Sequence, residues 1–369
     1  MDINHASAST VIPSREGHKS LVAFLCLLFL LMHPLSSADP LKDEDPARYR
    51  IIDTHEHIQS RQEAQKLLAA MDREGIECIV LVGSPTELLF GGNADGLRFV
   101  NPEQNNEELL VIVRNFPGRF FAFATYSPKD VDVLGKFRDF LQRGGTGLKL
   151  YVGHYLYHDQ LGVPLDAPHL MELYAFCERQ HVPIVFHANA RFYWKELKRV
   201  LDAYPNLVVN LAHFCMSLID LERIREIFDC YPNVYADVSF GAAEFAYPAF
   251  RWVAERNDQY RTFIQRYKDR FLFGTDMVLT EHPSMDESYA VKMFRAYRSF
   301  LEKDRYTNIL IEEYLETLGG EERGLERVLR GLELDPDTLR HIYECNPRRF
   351  LGIEHARRQM RSKELNNIR

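Results

Sequence analysis

The sequence lacks a basic excess and any framework of paired cysteines. Lys and Arg number 45 against 53 Asp and Glu, which gives a formal net charge of -8. Nucleic-acid-binding domains usually carry a basic stripe, so the composition gives no support to a nucleic-acid partner. Six cysteines are present, but they are scattered and form no CxxC pair. No disulfide framework is therefore expected.

The chain also lacks an apolar run long enough for a comfortable membrane span. Its longest run, Leu21 to Met32, is shorter than the roughly 20 apolar residues that a spanning helix needs. A basic flank precedes the run and Ser36-Ser37-Ala38 follows it. This pattern predicts a secretory signal peptide at residues 1–38, with an uncleaved membrane anchor as the alternative. The protein is then exported (periplasmic or extracellular), or attached to a membrane through this segment.

Internal repeats, low-complexity segments and a Gly-rich phosphate turn after the first strand are absent as well. After a proline-marked linker at 39–49, apolar runs alternate with helical patterns, which is typical of a parallel sheet. We predict a (β/α)₈ TIM barrel with a C-terminal helical extension over residues 50–355, and a charged tail at 356–369. A doubly wound open sheet is the less favoured alternative. The predicted strands are 50–53, 77–82, 120–124, 147–151, 183–187, 207–212, 234–238 and 271–275.

Residues suited to acid-base chemistry and metal binding stand where several of these runs end. They are His55, His57, Lys149, His187, His213 and Asp276. A closed barrel places the C-terminal ends of its strands around one mouth, so these residues are expected to lie together. His55 and His57, two apart on a strand, point to the same side and can bind one divalent ion. Taken singly, each histidine can equally be a hydrogen-bonded core residue, and Asp276 a helix cap.

The chain resembles the amidohydrolase superfamily from about residue 50 to residue 352. The resemblance rests on Asp-Thr-His-Glu-His at 53–57, Gly-Leu-Lys-Leu-Tyr at 147–151, Ile-Val-Phe-His at 184–187, Leu-Ala-His at 211–213 and Phe-Gly-Thr-Asp at 273–276. Asn-Val-Tyr-Ala-Asp at 233–237 and Asn-Pro-Arg-Arg-Phe at 346–350 extend it. It is strongest to the amidohydrolase-related branch, which contains barrel hydrolases and nonoxidative decarboxylases of the aminocarboxymuconate-semialdehyde and resorcylate kind.

The resemblance implies roles for these residues. His55, His57, His187 and Asp276 would hold one divalent ion, most often Zn²⁺. His213 would stand close by and polarise a substrate carbonyl or carry a proton. Asp276 would also accept a proton as general base. Two alternative roles are open for Lys149. It is either a carboxylated lysine that bridges two metals, as in binuclear members, or a cation that binds a substrate carboxylate.

Further residues are expected on the same face. Arg191 would join Lys149 in a cationic patch for a carboxylate, and Tyr151 would contribute to an apolar wall with Trp194 and Phe240. His154 follows strand four and is equally an ordinary loop residue, while Asp237 is interpreted as closing a strand hydrogen bond.

The sequence therefore predicts a metal-dependent hydrolase that cleaves an ester, lactone or amide in a small, carboxylated molecule. A nonoxidative decarboxylase with the same ligands is the alternative, and a metal-free secreted binding barrel is the third hypothesis. Assembly into a homo-oligomer is left open, and a membrane is a partner only if the N-terminal segment is retained.

Overall fold

The computed structural model describes residues 49–89, 99–317 and 325–353. The predicted signal or anchor segment, nearly all of the linker and the charged tail lie outside these ranges. Among the described helices, none is both long enough and apolar enough to cross a membrane.

A parallel sheet of nine strands forms the centre of the molecule, in the order β8-β7-β6-β5-β4-β3-β2-β1-β9. Each strand from β1 to β7 pairs with the next one along the chain. The strands are β1 (Ile51–Ile58), β2 (Ile76–Val82), β3 (Phe120–Ala124), β4 (Gly147–Gly153), β5 (Ile184–Ala188), β6 (Val209–Leu211), β7 (Val234–Asp237), β8 (Phe271–Leu272) and β9 (Val278–Leu279).

The segment that contains β8 and β9 closes the sheet on itself. On one side β8 pairs with β7, and on the other β9 pairs with β1. Between the two, the amide of Thr54 donates to the carbonyl of Phe273 at 2.9 Å, and that of His57 donates to Met277 at 2.9 Å. Of the strand predicted at 271–275, the structure forms only β8, and the chain resumes strand pairing as β9 after residues 273–277. The barrel expected from the sequence is confirmed.

Helices connect the strands and cover the outside of the barrel. They are α1 (Ala64–Glu74), α2 (Thr86–Leu89), α3 (Pro102–Asn115), α4 (Val133–Gln142), α5 (Tyr155–Leu161), α6 (Pro168–Gln180), α7 (Trp194–Ala203), α8 (Leu221–Cys230), α9 (Ala243–Glu255), α10 (Asn257–Arg266), α11 (Glu287–Glu302), α12 (Ile311–Thr317), α13 (Pro336–Arg340) and α14 (Asn346–Phe350).

Local sequence signals set several helix ends. Gly75 takes the left-handed conformation (φ 71°) that ends α1, and its amide bonds back to Met71. The carboxylate of Asp220 accepts from the amide of Arg223 at the start of α8, and Asp286 does the same for Tyr289 at the start of α11. These caps fix where the three helices begin or end.

Two apolar clusters hold the barrel together. The larger one lies between the strands and the surrounding helices, and the smaller one fills the end of the barrel opposite the site. Phe350 of α14 belongs to the smaller cluster and contacts the rings of Phe123 and Tyr235 at 6.1 and 5.9 Å between centroids. The C-terminal extension therefore plugs the barrel, which leaves the opposite end open for chemistry.

Some local predictions need correction. The sequence of residues 83–106 is rich in Gly and Asn, which favours a long loop, but the structure has α2 and the first part of α3 there. The segment after β4, where His154 was expected in a loop, likewise contains α5. The C-terminal region was expected to be helical only, but it also holds an antiparallel pair of strands, β10 (Arg305–Thr307) and β11 (Val328–Arg330). Each of these strands has three residues, which is too short for a sequence periodicity to reveal.

Candidate metal centre

All six residues predicted from the strand exits lie at the same end of the barrel. His55 and His57 are on β1, Lys149 on β4 and His187 on β5, while His213 directly follows β6 and Asp276 lies between β8 and β9. The strand order brings residues from opposite ends of the sequence to one mouth, as expected for this fold.

The carboxylate of Asp276 is the point at which three imidazoles meet. Its Oδ1 lies 3.2 Å from Nε2 of His55 and 2.9 Å from Nε2 of His57. Its Oδ2 lies 3.7 Å from Nε2 of His213. His55, His57 and Asp276 each offer one ligand atom, and these atoms all lie within 4.8 Å of one another. This spacing allows them to share one ion.

A left-handed backbone directs the Asp276 side chain into the mouth. Its φ is 57°, and its amide donates to the carbonyl of His55 at 2.8 Å. Gly241 lies against the carboxylate, since a Cβ at this glycine would stand 3.0 Å from Asp276 Oδ2. Gly241 has a φ of +79°, so both its conformation and its space require glycine.

Burial and charge set the protonation of this cluster. Burial would raise the pKa of Asp276, but the neighbouring His55, His213 and His57 hold it well below its usual range. Burial lowers the pKa of His55 to about 4, helped by the charge of Lys149. Burial also lowers the pKa values of His57 and His187. These directions favour an ionised Asp276 and neutral His55, His57 and His187, which are the protonation states that a divalent metal needs.

His187 stands slightly apart from the tightest group. Its ring centroid lies 4.7 Å from that of His213 and 4.4 Å from that of His154. Its Nε2 is buried and has no hydrogen-bond partner among the described residues. Because buried polar atoms are normally paired, this nitrogen needs an explanation. A metal ion bound at the mouth of the barrel would give this nitrogen a partner.

Lys149 lies at the centre of the site. Its Nζ is 2.6 Å from Nε2 of His55 and 4.8 Å from the centroid of the Tyr151 ring. Burial lowers its pKa to about 8. Tyr151 donates its hydroxyl to the carbonyl of Gly83 at 3.2 Å, so its ring is fixed beside the amine.

Arg191 and the other residues of the expected wall lie farther out. The guanidinium of Arg191 is exposed and lies over the ring of Phe192 at 5.8 Å, whereas Lys149 is fully buried. The expected cationic pair is therefore divided between the surface and the interior. Phe240 stacks on Phe214 at 5.5 Å between centroids, and Trp194 is covered by Arg223 at 4.7 Å.

The sequence did not identify the residues that orient the imidazoles. Ser84 Oγ lies 2.5 Å from Nδ1 of His57. Asp237, expected to serve only the strand, has an Oδ2 3.0 Å from Nδ1 of His55. It also accepts from Asn210 Nδ2 at 2.8 Å. Asp237 is the last residue of β7, so it meets the same criterion, a polar residue at the end of a strand, by which the other candidates were chosen.

A left-handed turn carries His213. Four consecutive residues have positive φ angles: 58° for His213, 50° for Phe214, 59° for Cys215 and 51° for Met216. For L-residues this conformation costs about 1–2 kcal/mol each. Phe214 is fully buried, and the amide of His213 donates to Asp237 Oδ1 at 2.8 Å, so packing and a charged hydrogen bond offset the strain.

A buried pair of carboxyl groups lies next to the imidazoles. Burial raises the pKa of Asp53 to about 7 and raises that of Glu56 well above its usual range. Thr275 donates its hydroxyl to Glu56 Oε1, and the amide of His55 donates to Asp53 Oδ1 at 3.0 Å. The first bond ties β1 to the segment that carries Asp276, and the second lies within β1 itself.

A model of the amidohydrolase family matches residues 52–353. This chain belongs to the amidohydrolase family. The resemblance found in its motifs is thereby confirmed, together with the expectation of an enzyme of the amidohydrolase type. None of the functionally curated proteins matches the sequence.

Solved structures with a similar fold include hydrolases. One is a probable 2-pyrone-4,6-dicarboxylic acid hydrolase from Acinetobacter baumannii, with citric acid bound (TM-score 0.50, 14% identity, 82% of this chain and 100% of that chain covered). Another is an amidohydrolase from Burkholderia multivorans with bound Zn (TM-score 0.52, 10% identity, 82% and 99% covered). These two likenesses show a shared fold. A 2,6-dihydroxybenzoate decarboxylase from Rhizobium scores lower (TM-score 0.47, 16% identity, 83% and 99% covered).

Proposed function

We propose that this protein is a metal-dependent hydrolase that cleaves an ester, lactone or amide bond in a small, carboxylated molecule. The observation that carries the proposal is the ionised Asp276 carboxylate, which meets Nε2 of His57 at 2.9 Å, of His55 at 3.2 Å and of His213 at 3.7 Å. A nitrogen and oxygen donor set of this kind suits hydrolytic metal chemistry.

The residues present fit a divalent ion. His55, His57, His187 and Asp276 would hold it, and the buried Nε2 of His187, which has no hydrogen-bond partner among the described residues, supports a ligand at this position. Neutral imidazoles and a carboxylate suit Zn²⁺, which we propose as the metal. The bound Zn of the Burkholderia multivorans amidohydrolase supports this choice.

An ion held there would act as a Lewis acid that polarises the substrate carbonyl, and it would lower the pKa of water towards neutrality. The remaining steps belong to the protein. Asp276 is ionised, so it accepts the proton of the attacking water. His213 faces the second oxygen of that carboxylate at 3.7 Å and takes part in carrying the proton to the leaving group.

We propose that the substrate carboxylate is recognised by cations of the mouth. Lys149 is the inner cation and Arg191 the outer one, with Tyr151 as an apolar surface beside the reacting bond. Because Arg191 is exposed, its contribution is to attract the substrate and hold its outer end.

Lys149 also supports a second candidate chemistry. Its Nζ lies 2.6 Å from Nε2 of His55, so the amine itself is at the metal centre. A carboxylated Lys149 would add a bridging anion and allow a second metal. Metal content distinguishes the two roles.

The cellular location is part of the same proposal. We propose that residues 1–38 direct export and that the catalytic barrel acts outside the cytoplasm, or at a membrane if this segment is retained. The apolar run at 21–32 with its basic flank and small-residue exit supports the proposal.

The proposed function is tested by metal analysis together with a substrate panel. Purified protein is analysed for metals and then assayed, with and without a chelator, for hydrolysis of carboxylated lactones, esters and amides and for carbon dioxide release from aromatic acids. Chelator-sensitive hydrolysis supports the proposal, and carbon dioxide release without hydrolysis would favour the decarboxylase. Metal-free protein that binds but does not convert these molecules would favour the binding barrel.

A matched pair of histidine variants controls for nonspecific effects. His187→Ala removes the buried imidazole with the unpaired nitrogen, whereas His181→Asn changes an exposed histidine at the end of α6 whose φ of 53° asparagine tolerates. Only the first should lose metal.

A further inference from the structure

Asp237 is a buried carboxylate whose two oxygens are fully used by donors. Oδ1 accepts from the amide of His213 at 2.8 Å, and from the amide and hydroxyl of Ser239 at 3.2 and 2.5 Å. Oδ2 accepts from Asn210 Nδ2 at 2.8 Å and faces Nδ1 of His55 at 3.0 Å. The side chain is fully buried, so these groups replace water.

The contacts of Nδ1 identify the tautomer of His213. This nitrogen lies 3.1 Å from the backbone carbonyl of Ser239. A carbonyl oxygen can only accept, so Nδ1 carries the proton. The Ser239 hydroxyl, 2.9 Å away, is consistent with this, because it donates its own proton to Asp237 and is left with lone pairs. In the neutral ring, Nε2 of His213 then has a lone pair that faces the mouth.

The same reasoning applies to His55. Nδ1 faces Oδ2 of Asp237 at 3.0 Å, and the side-chain amide of Asn210 and the backbone amides of His213 and Ser239 donate to the two oxygens of the same carboxylate, which marks both as acceptors. Nδ1 therefore carries the proton. Nε2 of His55 keeps its lone pair on the side of Asp276, and the Lys149 amine lies against it at 2.6 Å.

We propose that Asp237, assisted by Ser239, is a positioning residue that fixes the tautomers of His55 and His213 together. One carboxylate thus aims two Nε2 lone pairs at the same point. It also holds the left-handed turn of His213 through the backbone amide. This inference rests on the proposed function in one respect, because it assumes that the site holds an ion.

The tautomer restricts what His213 does. A neutral His213 has no Nε2 proton to donate to a substrate carbonyl. In this tautomer Nε2 can accept a proton, and it can donate a hydrogen bond to a carbonyl only after it has taken one up.

An ion bound by His55, His213 and Asp237 is the competing explanation, since their ligand atoms lie close enough. The hydrogen bonds argue against it. Both oxygens of Asp237 already accept protons from five donor groups, and an ion there would have to displace the proton of His55 Nδ1.

The first test measures metal affinity by competition with a chromogenic chelator. Residues that orient metal ligands typically contribute about 10–100-fold to metal affinity, so we expect Asp237→Asn to weaken binding by this factor. Ser239→Ala should weaken it less, because Asp237 still accepts directly from Nδ1 of the ligand His55. Asn346→Ala is the control: it removes buried bonds to Lys268 and Phe271 far from the mouth, so it should lower stability but leave affinity unchanged. Equal affinity in wild type and Asp237→Asn would overturn the proposal.

The second test reads the tautomer directly and needs no metal. Metal-free protein labelled with ¹⁵N-histidine is studied by long-range proton–nitrogen correlation at mildly alkaline pH, and the His213 signals are identified by their loss in His213→Gln. We expect a pyrrole-type Nδ1 and a pyridine-type Nε2 for His213 and His55, and mixed tautomers in Asp237→Asn. The reverse tautomer in wild type would refute the proposal.

The two tests separate this proposal from the proposed function. Wild-type protein that binds no metal but shows the expected tautomers would refute the hydrolase and leave the positioning role standing. Wild-type protein that binds metal but has His213 protonated at Nε2 would do the opposite. If Asp237→Asn does not fold, Ser239→Ala and the wild-type spectrum still decide.

Discussion

The amine of Lys149 lies 2.6 Å from Nε2 of His55, the same nitrogen that faces Asp276 Oδ1 at 3.2 Å. An ammonium group and a divalent ion cannot both use that lone pair. Binding of the ion therefore releases the Lys149 amine from His55, and a released cation is available to a substrate carboxylate.

Lys149→Met distinguishes the two roles of this lysine. We expect about one metal per chain in both wild type and variant, with a raised KM in the variant, because a contact to the bound substrate is lost. Elemental analysis and steady-state kinetics measure both quantities. Two metals per wild-type chain, falling to one in Lys149→Met, would establish the carboxylated lysine instead.

Substitutions in the cluster around Asp276 should separate ligands from proton carriers. His57→Ala should lose metal and activity together. His213→Asn should retain metal but lose about 10²–10⁴-fold in turnover, the usual worth of acid-base assistance. Asp276→Asn should lose nearly all activity and part of the metal. Metal content alongside turnover checks each variant, and a fully metallated, active His57→Ala protein would refute the ligand set.

Gly241→Ala should damage the site more than its conformational cost alone explains. The new Cβ would stand 3.0 Å from Asp276 Oδ2 at a φ of +79°. We expect destabilisation above about 1 kcal/mol and a fall in turnover of up to about 10²-fold, since small displacements of reacting groups have effects of that size. Gly118→Ala is the control, because its φ of +80° is matched and nothing lies within 4 Å of its Cβ position. It should destabilise the fold without affecting turnover.

Met216→Gly should be more stable than Met216→Ala. Both variants remove the half-buried side chain, but only glycine adopts the φ of 51° without strain, and we expect a difference of about 1 kcal/mol in unfolding free energy. Denaturant titration measures it. At Thr262, exposed in the right-handed helix α10, the order should reverse. If the alanine variant were the more stable one at both positions, the left-handed turn would not be strained.

A shortened chain that begins at Asp39 should be soluble and carry metal. The shortened chain omits the apolar run at 21–32, and the described part of the barrel begins only at Tyr49. Expression with fractionation and metal analysis checks the expectation. Insolubility of the shortened chain, when the full chain folds well, would contradict the signal-peptide interpretation.

Sequence reasoning reached the barrel and the gathering of its polar residues because both depend on short-range patterns. Apolar runs define the strands, and the fold then places every strand exit at one mouth. The left-handed turn at 213–216 was not foreseen, because Phe214, Cys215 and Met216 carry no glycine signal for it. Its conformation is set by tertiary contacts, namely the buried Phe214 ring and the bond from the His213 amide to Asp237.

The role of Asp237 was missed for a different reason. Its position at the end of β7 was visible in the sequence, but a carboxylate there is also compatible with an ordinary strand hydrogen bond. Only the three-dimensional structure shows that His55, 182 positions away, lies against it. Partners this distant in sequence leave no local pattern.

The seam at which the barrel closes passes through the site. His55 and His57 belong to the first strand and Asp276 to the last segment, where strand pairing is interrupted between β8 and β9. An ion shared by these residues would act as a clasp across that join. Its removal should loosen the first and last strands before the rest, so hydrogen exchange of the β1 amides should accelerate on chelation while β3 stays protected. The Tm would then rise with metal concentration, and the ion would stabilise the fold as well as take part in catalysis.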